Sequence, residues 1–325
     1  MLMSRRSSLW CLASCVSIVC LAGCGRPEQP VPATSAPAGR LQAVDRQGAV
    51  DVGGTERTYW MHLPASYDSS RPVPLVLVFH GGGGSGKRIA RITGFSNLSD
   101  DEGFIVVYPD ALDGHWNDGR SGAAASQADD VRFVSKLIDQ LSVLLAIDRK
   151  RVYAAGISNG AIFVQRLGCE LSDRITAIAA VAGPLATGMA DKCTPTQPVA
   201  VLMIHGTADD FVPYAGGRVR GPVGGQVLSV QDTIERWLTA NGCSDRSPTV
   251  TTLDPDRPDG MRVRRAAYSV CSQGTSVVLY TIEGGGHTWP GGMIPRRFGR
   301  VVGPTSRAFD ATRTIWEFFN LHARP

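Results

Sequence analysis

Gly156, Ser158 and Gly160 form a G-x-S-x-G pattern between an apolar run expected as a strand (151–156) and a segment expected as a helix (159–171). A serine hydroxyl is a poor nucleophile unless a base takes its proton, and the base needs a carboxylate to orient it. A sharp strand-to-helix turn would lift the hydroxyl above a sheet. The backbone there is strained, so the nearest neighbours must be small. In that architecture the partners follow in the order serine, carboxylate, histidine. Two later loops supply them in that order. "HGTADDFVPY" (205–214) offers Asp209 and Asp210, with Asp209 preferred, and "GGGHTWPGG" (284–292) offers His287. The other histidines fit less well: His62 and His322 read as structural, His80 and His205 as loop braces, and His115 precedes the serine.

A second pattern, "VFHGGGGSGKR" (78–88), has two readings. Gly81, Gly86 and Lys87 approach a phosphate-binding loop, but that loop needs Ser or Thr next, to hold magnesium. Arg88 stands there instead. The better reading is a glycine loop whose backbone N–H groups meet a developing oxyanion. The expected donors are the N–H of Gly82, with Gly83 second, and the N–H of Asn159. Each such donor is worth about 3 kcal/mol in a transition state.

These groups meet only if strands and helices bring them together. Apolar runs at 73–79, 104–109, 151–156, 177–183, 198–206 and 276–284 read as strands covered on both faces. Helices are expected at 128–146, 159–171, 226–241 and 307–321, and an antiparallel strand at 56–64. The alternation implies an α/β fold with a mostly parallel, doubly wound sheet and helices on both faces. Candidate active residues then fall on loops at the carboxyl ends of strands, where open α/β sheets place their sites.

The chain's 325 residues are 43% hydrophobic and 19% charged, as in a globular protein with a large core. The net charge is +4; without Arg5 and Arg6 the balance is 31 basic to 29 acidic, or +2, which leaves no footprint for nucleic acid. Those arginines precede an apolar stretch ending Leu21-Ala22-Gly23-Cys24. It reads as a lipoprotein signal peptide (1–23) with Cys24 as the lipid-bearing residue. A Pro/Ala-rich tether (24–44) and one catalytic domain (45–325) follow. Export and anchoring to a bacterial membrane through the lipid alone are expected. Beyond Cys24, four cysteines suggest two bridges in an oxidising compartment. Three pairings are possible; Cys169–Cys193 and Cys243–Cys271 are preferred, because each joins the end of an expected helix to nearby chain.

Taken together, "HGGGGSG", "VVYPDAL", "GHWNDGR", "ADDVRFV", "RVYAAGISNGA", "HGTADDFVPY", "GGGHTWPGG" and "TIWEFF" resemble the secreted polyhydroxybutyrate depolymerase and feruloyl esterase family of α/β-hydrolases, over residues 48–321. The resemblance implies Ser158 as nucleophile, Asp209 as orienter and His287 as base. It also implies that Trp116, Asn117 and Trp289 shape the substrate site. Family members often carry Cys where this chain has Gly82 and Gly where it has Ala161. The expected activity is that of a serine carboxylic-ester hydrolase, monomeric and without metal or organic cofactor. Its substrates would be feruloyl or acetyl esters of polysaccharide, or hydroxyalkanoate esters. A non-catalytic surface polymer-binding protein on the same scaffold is the competing expectation.

Overall fold

Residues with alternating faces and β-branched side chains build the centre of the molecule. In the computed structural model, β3 (Val73–Phe79), β4 (Ile105–Pro109), β5 (Ile147–Ile157), β6 (Ala177–Val181), β7 (Ala200–Gly206) and β12 (Val277–Ile282) run parallel. The structure describes residues 43–122, 126–253, 260–293, 299 and 301–325. The leader, Cys24 and most of the tether lie outside the described residues. Those described belong to one compact unit, Arg40–Pro325.

Antiparallel strands extend both edges. β1 (Val44–Val52) and β2 (Thr55–Leu63) pair next to β4; β11 (Val263–Tyr268) and β10 (Thr249–Leu253) follow β12. The ten-stranded order is β1-β2-β4-β3-β5-β6-β7-β12-β11-β10. A separate two-stranded ribbon joins β8 (Gly217–Arg218) to β9 (Gln226–Val227).

Alternation along β3 explains the two cores. Leu75, Leu77 and Phe79 face one side, packed with Phe133, Ile162 and Trp237 from α3 (Asp130–Leu144), α4 (Asn159–Glu170) and α5 (Val230–Ala240). Val76 and Val78 face the other, with Ile89, Phe95 and Phe319 from α1 (Gly86–Thr93), α2 (Phe95–Glu102) and α6 (Ala311–Asn320). Burying each such side chain contributes about 1.5–3 kcal/mol. Three helix starts are capped by side chains: Asp129 accepts from Arg132 N–H, Ser229 from Asp232 N–H and Asp310 from Arg313 N–H. Each cap contributes about 1 kcal/mol.

Several boundaries differ from the sequence expectation. The helix expected from 226 starts at Val230, because Gln226 and Val227 pair with β8. The helix expected from 307 starts at Ala311, where Asp310 caps it. Helices α1 and α2 were not anticipated; they are eight residues each, separated by Gly94 in the left-handed region at φ 71°. Cys169, in the last turn of α4, is bonded to Cys193, and Cys243, just past α5, to Cys271. No helix among the described residues is long and apolar enough to cross a membrane.

Candidate active site

Strand β5 ends at Ile157, and α4 begins at Asn159. The single residue between them, Ser158, has φ 59° and ψ −125°, a backbone state that costs a non-glycine residue on the order of 1–3 kcal/mol. The turn survives because its surroundings hold it: Ser158 N–H donates to Val181 O at 2.9 Å, and Ser158 O accepts from Ile162 N–H at 3.0 Å. Two glycines make room. A Cβ on Gly156 would lie 2.6 Å from the Gly160 carbonyl, and one on Gly160 would lie 2.5 Å from both Phe79 O and His80 O. The elbow is thus wedged against the end of β3.

His287 sits on the loop after β12 and Asp209 on the loop after β7. The imidazole donates from Nδ1 to Asp209 Oδ2 at 2.7 Å. With Nδ1 protonated, Nε2 carries the lone pair. Asp209 Oδ1 accepts from Phe211 N–H at 2.9 Å and Val212 N–H at 2.8 Å, so both oxygens are used. Burial opposes the charge on Asp209. The His287 hydrogen bond, the His287 and His205 rings and the Val212 N–H outweigh it, and hold the carboxyl below the usual carboxylate range. The two loops are also tied to each other: Ala208 N–H donates to Gly285 O at 2.9 Å and Gly284 N–H to Thr207 Oγ1 at 2.8 Å. Asp210, the alternative carboxylate, is exposed.

The glycine loop after β3 lies beside the serine. A Cβ on Gly81 would stand 3.2 Å from Ser158 Cβ, so glycine keeps the approach to the serine unobstructed. Gly83 N–H is occupied by Gly114 O at 2.8 Å, and Gly84 N–H by Gly81 O at 3.0 Å. Asn159 is the first residue of α4, where a backbone N–H has no partner within the helix. His80 braces this loop from beneath. Its Nδ1 donates to Gly81 O at 2.8 Å and its Nε2 accepts from Ala111 N–H at 3.2 Å, which fixes a neutral ring. Burial pushes its pKa down against the Gly81 hydrogen bond. His205 is buried too, donates to Val212 O at 2.9 Å, and is likewise held low by burial.

Trp116 and Asn117, expected at the substrate surface, lie elsewhere. The Trp116 ring is 1% exposed, stacks on Phe163 and donates to His80 O at 2.9 Å. Asn117 spends its side chain on Ala128 O and Arg166. Neither lines the cavities beside Ser158. They brace the site from behind: Trp116 N–H donates to Asn159 Oδ1 at 2.8 Å, and Asn159 Nδ2 donates to Asp118 Oδ2 at 2.6 Å. Asp118 and its ion-pair partner Arg120 were not singled out from sequence, although the "GHWNDGR" motif contains both. Trp289 does form cavity wall; its Nε1 is anchored to Thr312 Oγ1 at 3.0 Å.

A serine on a strained elbow, a histidine on a later strand-end loop and a glycine loop on a parallel sheet are the parts of an α/β-hydrolase fold. Comparisons with known proteins agree. The Esterase PHB depolymerase family model matches residues 57–215. "Putative esterase NocK" of Nocardia uniformis subsp. tsuyamanensis is 32% identical over 97% of this chain and 98% of its own length. Feruloyl esterase B of Piromyces equi is 31% identical over 69% of this chain, which spans 41% of that protein. The solved acetyl xylan esterase from Aspergillus awamori shares the fold at a TM-score of 0.57 and 14% identity, over 85% of this chain and 99% of its own. The chain belongs to the PHB depolymerase and feruloyl esterase family, and it is a carboxylic ester hydrolase.

Proposed function

We propose that this esterase works through a Ser158–His287–Asp209 triad and an acyl-enzyme. The observation that carries the reading is the 2.7 Å bond from His287 Nδ1 to Asp209, with His287 and the strained Ser158 lining one cavity. His287 Nε2 takes the hydroxyl proton as Ser158 Oγ bonds to the ester carbonyl carbon. The tetrahedral oxyanion is held by the N–H groups of Gly82 and Asn159. As it collapses, the carbon–alkoxide bond breaks, and His287 returns the proton to the leaving alcohol. Water then attacks the acyl-serine by the same route, releasing acid and restoring Ser158. Asp209 remains ionised throughout and stabilises the imidazolium.

Names among the relatives point to feruloyl and acetyl esters of polysaccharide. The family description points to hydroxyalkanoate esters. The lipidated Cys24 and the tether of residues 24–44 would hold the domain off a membrane. Two disulfides suit the oxidising side of that membrane.

The test is hydrolysis of nitrophenyl acetate, nitrophenyl butyrate, methyl ferulate and hydroxybutyrate oligomers by the purified domain beside Ser158→Ala. The expected loss in kcat is on the order of 10⁶-fold, with unchanged melting. Undiminished activity in the variant rejects the triad. For the anchor, palmitate labelling should disappear in Cys24→Ser; labelling that persists rejects Cys24 as the attachment site.

A further inference from the structure

The cleft divides at Ser158 and His287 into two limbs of different chemistry. One, about 210 Å³, is walled by Ile89, Ile92, Trp289 and Met293. The other, about 340 Å³, is walled by His115, Arg120, Phe211, Val219, Arg220 and Pro222. Ser158 and His287 line both. An ester lying across the serine must put its acyl side in one limb and its alcohol side in the other.

Neither limb has an Asp or Glu among its described lining residues, so the state of the arginines decides which limb suits an anion. Arg120 there is already consumed: it pairs with Asp118 at 2.7 Å and donates to Gly224 O at 2.8 Å. Arg220 is exposed and forms no ion pair among the described residues. In the first limb, Arg88 is engaged within the chain.

The position of Arg220 is built. Its N–H donates to Phe211 O at 2.8 Å, next to the Asp209 loop, and the Phe211 ring lies 5.3 Å from the His287 ring. Val219 N–H closes the same ribbon on Gly225 O at 3.0 Å. The guanidinium is therefore carried by a segment tied to the groups beside the reacting bond. A planar fork of donors suits a carboxylate.

We propose that Arg220 makes the second limb a subsite for a carboxylate, so that the preferred substrate is an ester apolar on one side of the scissile bond and anionic on the other. This rests on the ester-hydrolase reading. The carboxylate could belong to the alcohol moiety, as in a hydroxy-acid oligomer or a uronate, or to the acyl moiety, as in a dicarboxylic half-ester.

Two substrate pairs separate these sources. The first compares the 3-hydroxybutyrate dimer acid with its methyl ester at the internal bond. The second compares mono-4-nitrophenyl adipate with 4-nitrophenyl hexanoate. In one pair the anionic member should have the higher kcat/KM, by about fivefold at low salt, which is the effect of one exposed charge pair. That ratio should shrink with added salt. It should fall to about one in Arg220→Ala and below one in Arg220→Glu, while Arg218→Ala, two residues earlier on β8, keeps the wild-type ratio. Preference in the first pair places the carboxylate on the alcohol side, and in the second on the acyl side. Hydrolysis without discrimination in either pair, or discrimination that survives Arg220→Ala, overturns the subsite alone. Failure to hydrolyse any ester overturns the esterase reading, and the subsite with it.

Discussion

Asp209 and Asp210 are chemically identical neighbours, and only the backbone separates their roles. Asp209 points inward, where both oxygens are occupied and His287 Nδ1 is a donor; Asp210 faces water. Replacing Asp209 by Asn tests orientation with little loss of structure. The amide oxygen could still accept from Phe211 and Val212. The amide nitrogen would face His287 and favour the ring with its proton on Nε2. That tautomer cannot take the proton of Ser158. The expected result is a fall in kcat on the order of 10⁴-fold with melting nearly unchanged. Asp210→Asn should retain wild-type activity. Comparable losses in both variants would show that general charge in the loop, rather than one oriented carboxylate, supports the reaction.

At the scale of elements, the elbow works because α4 sits hard against the end of β3. Gly160→Ala forces a Cβ to within 2.5 Å of two main-chain oxygens, which cannot swing aside as a side chain could. Overpacking of this kind costs about 1–3 kcal/mol. A lowered melting temperature together with lost activity is expected; a fully active, equally stable variant would mean that the wedge is not tight. The glycines of this elbow were legible in the sequence, because a serine turn between an apolar strand and a helix forces small residues at those places. The central strands were legible for a similar reason: burial on both faces leaves continuous apolar runs. Among the antiparallel strands added at the edges only β2 was legible; β1 runs through Asp45, Arg46, Gln47 and Gly48 without an alternating pattern, and β11 carries Arg264 and Arg265. Helices α1 and α2 are only two turns each; both pack on β4, with α1 also against β3 and α2 against β2 and α6. The roles of Trp116 and Asn117 were illegible because a motif does not say which face a side chain takes. Trp116 turns inward onto Phe163, where burial of its ring outweighs any benefit of exposure in the cleft.

Across the whole molecule, two neutral imidazoles are built into loops at the carboxyl edge of the sheet. His80 and His205 both have pKa values lowered by burial, so the folded protein resists protonating them. The unfolded chain does not resist, and its histidines titrate near 6.5. Below that pH the unfolded state binds more protons, and the stability of the fold declines as pH falls; above it the contribution is fully present. The depressed carboxyl of Asp209 acts in the same direction in a lower window. Its contribution is present above about 4 and is lost as pH falls through its folded value. Acid should therefore weaken the protein in two stages, histidines first. The slope from the pair is at most about 3 kcal/mol per pH unit. His322 near the C-terminus is lowered by burial as well, so calorimetric unfolding near pH 5.5, in buffers of different ionisation enthalpy, reads these rings together as an uptake of roughly two to three protons. Zero uptake or net release would show that these rings are already charged in the folded state, which is incompatible with His80 donating from one nitrogen and accepting at the other.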